Sequence, residues 1–196
     1  MTITLPSSPA PRAISPHLIS RRRDLEPTFG GPTTRVQRLG SKWAIDFDLP
    51  PMRYADAMAW IAALTRAEGD TVMIDVPQPG FETGSPGTPL VNGASQAGSF
   101  IDLDGFGAYT AKAGQFFSVI ISSQRYLYQV AVDRVAAAGV MTDLAISPMI
   151  RRSPADNAVV EFATPKIEGF LSGRETGWTV DVARTVGISF TITERE

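Results

Sequence analysis

The stretch AGQFFSVIISSQRYLYQVAVD, residues 113–133, decides the fold. Two apolar runs rich in β-branched and aromatic residues flank a short polar segment, which is the signature of a β-hairpin. Phe116, Phe117, Tyr126 and Tyr128 are its large side chains, and cross-strand packing among them would hold a small core. Outward from the hairpin, further short runs at 100–103, 142–146 and 159–162 carry the same pattern between turn signals. This spacing predicts a small barrel or sandwich without a helix of its own.

Upstream, PQPGFETGSPGTPLVNGASQAGS is dense in Gly, Pro and Ser and reads as a boundary. Before it, Trp43, Ile45, Phe47 and Leu49 alternate strictly, a half-buried strand that Pro50-Pro51 ends. MRYADAMAWIAALTRAEGD then predicts the one helix, with Tyr54, Ala57, Met58, Ile61, Leu64 and Thr65 on its inner face and Trp60 beside them. A short strand follows at 71–76. At the other end, Trp178, Val180 and Val182 alternate, as do Val186, Ile188, Phe190 and Ile192. These closing strands match the strand at 43–49 better than the middle section. The chain is therefore read as mainly β with one α-helix. A discontinuous β-barrel or sandwich hub domain (33–82 and 167–196) carries an inserted small β-barrel domain (83–166), after an extended N-terminal arm (1–32). In the arm, Ile3, Leu5, Ile14, Leu18 and Ile19 are spaced among prolines, which predicts that it lies along a neighbouring molecule. The packing residues expected to matter most are Trp43, Trp60, Ile61, Phe116, Phe117, Tyr126, Tyr128, Trp178 and Phe190.

Composition bounds the chemistry. The chain has 196 residues, net charge −2, no cysteine and one histidine. Disulfides, thiolate metal sites and thiol nucleophiles are excluded, and His17 alone supports neither a catalytic triad nor a multi-histidine metal site. No apolar run approaches the roughly 20 residues of a membrane-spanning helix. The N-terminus lacks the apolar segment of a signal peptide, so synthesis and folding in a cytoplasm are expected.

Each polar cluster has a plain alternative that outweighs a chemical role. Asp102 with Asp104, and Asp46 with Asp48, fall at period two on the outer face of strands, where solvated carboxylates are ordinary. Gly105-Phe106-Gly107 lacks the lysine and helix start of a phosphate loop and reads as a turn exposing Phe106. Arg151-Arg152 reads as two solvated loop arginines, and Arg21 to Arg23 as a solvated or interface-facing turn. The strand aromatics could stack on bases, but a nearly neutral chain favours packing. No catalytic, cofactor or metal set is assembled.

Three segments in order carry a resemblance. KWAIDFDLPPMRYADAMAWIAAL (42–64) resembles the strand, Pro-Pro turn and Trp-containing helix that open the hub domain of phage distal tail proteins. AGQFFSV and RYLYQVAVD, with ISPMIRRSPADNAVVEFATPKIEGFL after them, resemble that family's inserted β-barrel module. GWTVDVARTVGISFTITE (177–194) resembles its closing strands. The resemblance to this baseplate or tail-tip component of long-tailed bacteriophages and prophages implies a non-enzymatic virion protein, made in the host cytoplasm. It would form a homo-oligomeric ring, usually a hexamer, at the distal end of the tail. It would join the tail tube protein to hub, baseplate and tail fibre proteins, with no cofactor, no nucleic-acid specificity and no membrane insertion. The alternatives are another minor tail connector, or a carbohydrate- or nucleic-acid-binding β module.

Overall fold

The computed structural model describes residues 1–173, 177–182 and 184–195. It is mainly β, with 49% of residues in strands, a single helix and one nearly closed six-stranded barrel-like sheet.

The first six-stranded sheet runs Thr2–Thr4, Thr71–Asp75, Lys166–Leu171, Ser189–Glu194, Lys42–Asp48, Ala13–Ile19 across its width. Only the first pair is parallel. Its strands come from both ends of the chain. Phe47 lies opposite Phe190 and Ile45 opposite Ile192, so both alternating runs turn the same face inward. Ala13–Ile19 forms one edge, with Pro16 opposite Ile45. A proline has no N–H to give to a ladder and suits an edge strand. Across the inner face lies the helix Tyr54–Arg66, whose Trp60 ring sits 6.0 Å from Phe190. Trp60 is fully buried, and its indole Nε1 donates to the Ser8 carbonyl at 3.1 Å.

The inner face of that helix differs from the expectation. Ala57, Trp60 and Leu64 are buried and Ile61 is partly buried, whereas Tyr54 and Met58 are exposed. The segment is apolar all round from Ala57 to Leu64, so periodicity alone cannot choose its face. The largest side chain decides it by taking the core. The arm also differs. Ile3 and Leu5 lie in the chain's own core, and Ile14 packs against it. Removing the first 20 residues would strip both edge strands from this sheet.

The second six-stranded sheet runs Val160–Glu161, Phe116–Ile121, Gln124–Val130, Met141–Ile150, Gly98–Phe106, Gly87–Val91. Its first and last strands meet through a Leu90–Val159 bridge and through Val91 N–H to the Ala158 carbonyl at 2.9 Å. Phe117, Tyr126 and Tyr128 fill the barrel with Phe162, Leu103 and Met141. Phe106, expected on an exposed turn, is buried there, stacked on Tyr109 at 5.8 Å and edge-on to Phe162 at 5.3 Å.

Three smaller β units accompany these sheets, one of them the pair Thr110–Ala111 and Arg134–Val135. Arg23–Leu25 pairs with Thr34–Val36 as an isolated hairpin. Thr179–Val180 pairs with Thr185–Gly187, which continues to Met52–Arg53.

Candidate functional site

Two features stand out: a buried ionic seam between the two large sheets, and apolar surface that the chain does not cover.

The seam begins with strand geometry. Gln124–Val130 pairs along its length with Phe116–Ile121, but meets Met141–Ile150 only at Gln129 and Val130. Two buried carboxylates from the first sheet cap the N–H groups this leaves. Glu168 accepts the Arg125 N–H at 3.1 Å, and Glu194 accepts the Leu127 N–H at 2.7 Å. Glu194 also accepts the Trp43 N–H at 2.7 Å. Arg151 donates to it at 2.7 Å; the two side chains expose 6% and 1% of their surface. The Arg151 guanidinium lies 5.0 Å over the Tyr126 ring, a cation–π contact in a desolvated place. Arg125 completes the seam with a bidentate pair to Glu161 at 2.9 and 3.1 Å.

Burial pushes the Glu194 carboxyl above its ordinary range. The Arg151 charge, the Leu127 and Trp43 N–H groups and the Arg151 hydrogen bond pull it down. A buried carboxylate held by three donors is a structural clamp. Burial likewise pushes the Tyr128 phenol up to about 12.

Apolar packing follows the same line. Phe116, read as part of the hairpin's own core, turns away from Phe117 and meets Trp43 edge-on at 5.1 Å. Leu127 joins it in the core of the first sheet. Gln78, in the boundary segment, brackets Phe116 by accepting its N–H at 2.8 Å. Residues from both large sheets thus share one core. Arg151, expected to be solvated, is instead the counterion at its centre.

Of the nine residues singled out from sequence, Trp43, Trp60, Phe116 and Phe190 gather around the first core, with Ile61 at its margin. Phe117, Tyr126 and Tyr128 line the second. Trp178 is 41% exposed and Val180 and Val182 are exposed with it, so that alternating run is not a core strand. Trp178 lines an open groove with Arg12 and Asp48, which pair at 2.7 Å. Asp102 accepts the Asp143 N–H at 2.7 Å and serves a backbone turn. Sequence reasoning missed Glu168 and Glu194. Glu194 shares parity with Phe190 and Ile192, a signal that places it on the inner face.

The uncovered surface is concentrated. Every residue from 20 to 35 is exposed, and Phe29, in the loop of the isolated hairpin, is 101% exposed. Across the hairpin Arg35 grips Asp24 at 2.8 and 3.0 Å.

Among the described residues, no helix is long and apolar enough to cross a membrane. No family model matches the chain. No curated protein matches it.

Proposed function

We propose that this protein is a structural subunit of a ring at the distal end of a bacteriophage tail. It would continue the tail tube on one side and contact hub, baseplate and fibre proteins on the other. The observation that supports it most is the hairpin of residues 20–35, which has no buried residue and carries Phe29 fully in solvent. A two-stranded hairpin alone is at best marginally stable in water, so it is built to be covered by another protein. The ionic seam supports the same reading. It fastens one β unit to the other through buried groups. Trp178 beside Asp48 and Arg12 favours a second reading, a carbohydrate-binding β module, since an exposed ring next to polar hydrogen-bonding groups suits a sugar face.

Size-exclusion chromatography with light scattering, followed by negative-stain imaging, tests the first reading. Closed rings are expected. A protein that stays monomeric at high concentration and binds glycans on an array would replace it with the second.

A further inference from the structure

A cavity of about 440 Å³ lies between the end of the first sheet and the barrel. Three stretches of chain form it. The edge ladder of the first sheet ends at the Ile19–Lys42 pair. The turns beyond it bring Ser20 and Arg22 from one side and Gln37, Arg38 and Ser41 from the other. The barrel supplies Ser99 and Ser147, on strands that pair through Ala145–Phe100 and Ile150–Gly98. Leu18 and Met149 add apolar wall. A volume in this range suits a small ligand.

The cavity is rich in donors and short of acceptors. Among the described residues that line it, none is a carboxylate, and the side chains of Gln37, Arg38, Ser99 and Ser147 have no hydrogen-bond partner. Ser99 and Ser147 are half-buried, and a hydroxyl held from water without a partner is a cost that a ligand relieves. Ser20 and Ser41 accept the Arg22 and Arg21 N–H groups at 3.3 and 3.1 Å, which leaves each hydroxyl proton to be donated. Asp24 is the carboxylate nearest Arg22 in sequence, and Arg35 holds both its oxygens. Arg22 reaches it only through space. Residues 20–42 carry six cations against two carboxylates, in a chain of net charge −2. Two guanidinium groups and four hydroxyls thus line one small space with donors to spare.

The geometry points to a binding site for a phosphate group carried on a sugar. A phosphate monoester holds a charge of about −1.5 to −2 at neutral pH and three strong acceptor oxygens, which matches two guanidinium groups and a set of hydroxyl donors. A carboxylate carries less charge and fewer oxygens, and would leave donors idle. The cavity exceeds what a phosphate group fills, and Leu18 and Met149 offer a surface on which the carbon face of a sugar ring can lie. The site is built within one copy of the chain, so it stands or falls apart from the ring reading.

Isothermal titration calorimetry of the full chain tests it, with glucose-1-phosphate, inorganic phosphate, glucose, glucuronate and an oligothymidylate as probes. Glucose-1-phosphate should bind tightest, inorganic phosphate more weakly, and glucose not at all. Arg38 is exposed, so Arg38→Ala should melt like the unaltered protein. It should nevertheless weaken glucose-1-phosphate by about tenfold or more, as the loss of a charge-assisted hydrogen bond does. Arg152→Ala removes the same charge from an exposed position outside the cavity. It should change the affinity by less than about twofold, because salt screens exposed charge. Equal weakening by the two variants would mean general surface charge and no site. Inorganic phosphate that binds as well as glucose-1-phosphate would remove the sugar, and glucuronate that does so would reassign the site to carboxylates. Tighter binding of the oligothymidylate would reassign it to nucleic acid. Each of these results, or no binding of any probe, overturns the proposal.

Discussion

Glu194→Ala is the sharpest test of the seam. The substitution orphans the N–H groups of Trp43 and Leu127 and leaves Arg151 without its counterion. An unsatisfied buried donor costs about 1–3 kcal/mol, and breaking a buried ion pair by removing one partner costs about 3–5 kcal/mol. These figures describe overlapping losses, since one carboxylate serves all three donors. The expected loss is therefore about 3–5 kcal/mol, a large share of an ordinary domain's stability. Equilibrium urea unfolding followed by tryptophan fluorescence measures it. Glu194→Gln should lose most of the same stability. Oε1 serves Leu127 and Arg151 and Oε2 serves Trp43, so either orientation of the amide points an N–H at an N–H. The double variant Glu194→Ala, Arg151→Met removes the stranded charge but not the orphaned N–H groups. It should recover part of the loss and remain about 2 kcal/mol or more below wild type. A single variant within about 1 kcal/mol of wild type, or a double variant that recovers fully, would refute the clamp.

The same carboxyl predicts a pH dependence. Burial raises its folded-state value above the ordinary 4.5. The pH-dependent share of its contribution to stability is then fully present below 4.5 and is lost as pH rises through the raised value, leaving the share carried by the three accepted hydrogen bonds. The stability difference between wild type and Glu194→Gln should therefore shrink as pH rises from about 4.5 toward neutrality. A difference that grows over that range contradicts the direction of the shift.

Trp60→Ala should cost about 3–5 kcal/mol, because it empties the centre of the helix–sheet core and frees the Ser8 carbonyl; near-wild-type melting would mean the helix packs otherwise. Gly169→Ala should be among the most disruptive small changes in the chain. A Cβ there would collide with the Thr193 carbonyl of the paired strand, and backbone cannot swing aside as a side chain can. Thermal melting checks it, and an unchanged transition would show that the two strands are not so close.

The strands at 42–48 and 189–194 were legible from their period of two, and the hairpin from its continuous apolar runs, which are buried on both faces, Phe116 and Leu127 in the first core and Phe117, Tyr126 and Tyr128 in the second. Gly87–Val91 was not: its glycine, threonine and proline read as turn chemistry, yet Pro89 is tolerated in a strand that closes the barrel through a bridge at Leu90 and the hydrogen bond from Val91 to Ala158. The seam was illegible for a different reason. Arg151, Glu168 and Glu194 lie far from one another in the sequence, and only the fold brings them to the gap beside Gln124–Val130. Composition says that a carboxylate prefers water, and it takes a neighbouring strand with unpaired N–H groups to reverse that preference.

The remaining misplacements share a pattern. Tyr54, Met58, Trp178, Val180 and Val182 were all assigned to a core by their spacing, and all are exposed. Periodicity reports that a side chain is suited to burial; it does not report which molecule buries it. Assigning every apolar run to the chain's own interior is sound for a monomer, and its errors fall where that assumption breaks. Here they fall on two patches, the helix Tyr54–Arg66 and the segment 178–182, while the hairpin 20–35 is exposed throughout. Scattered single errors would mean poor reading of the sequence, since isolated apolar residues on a surface are ordinary. Errors clustered into contiguous apolar patches mark interaction surface.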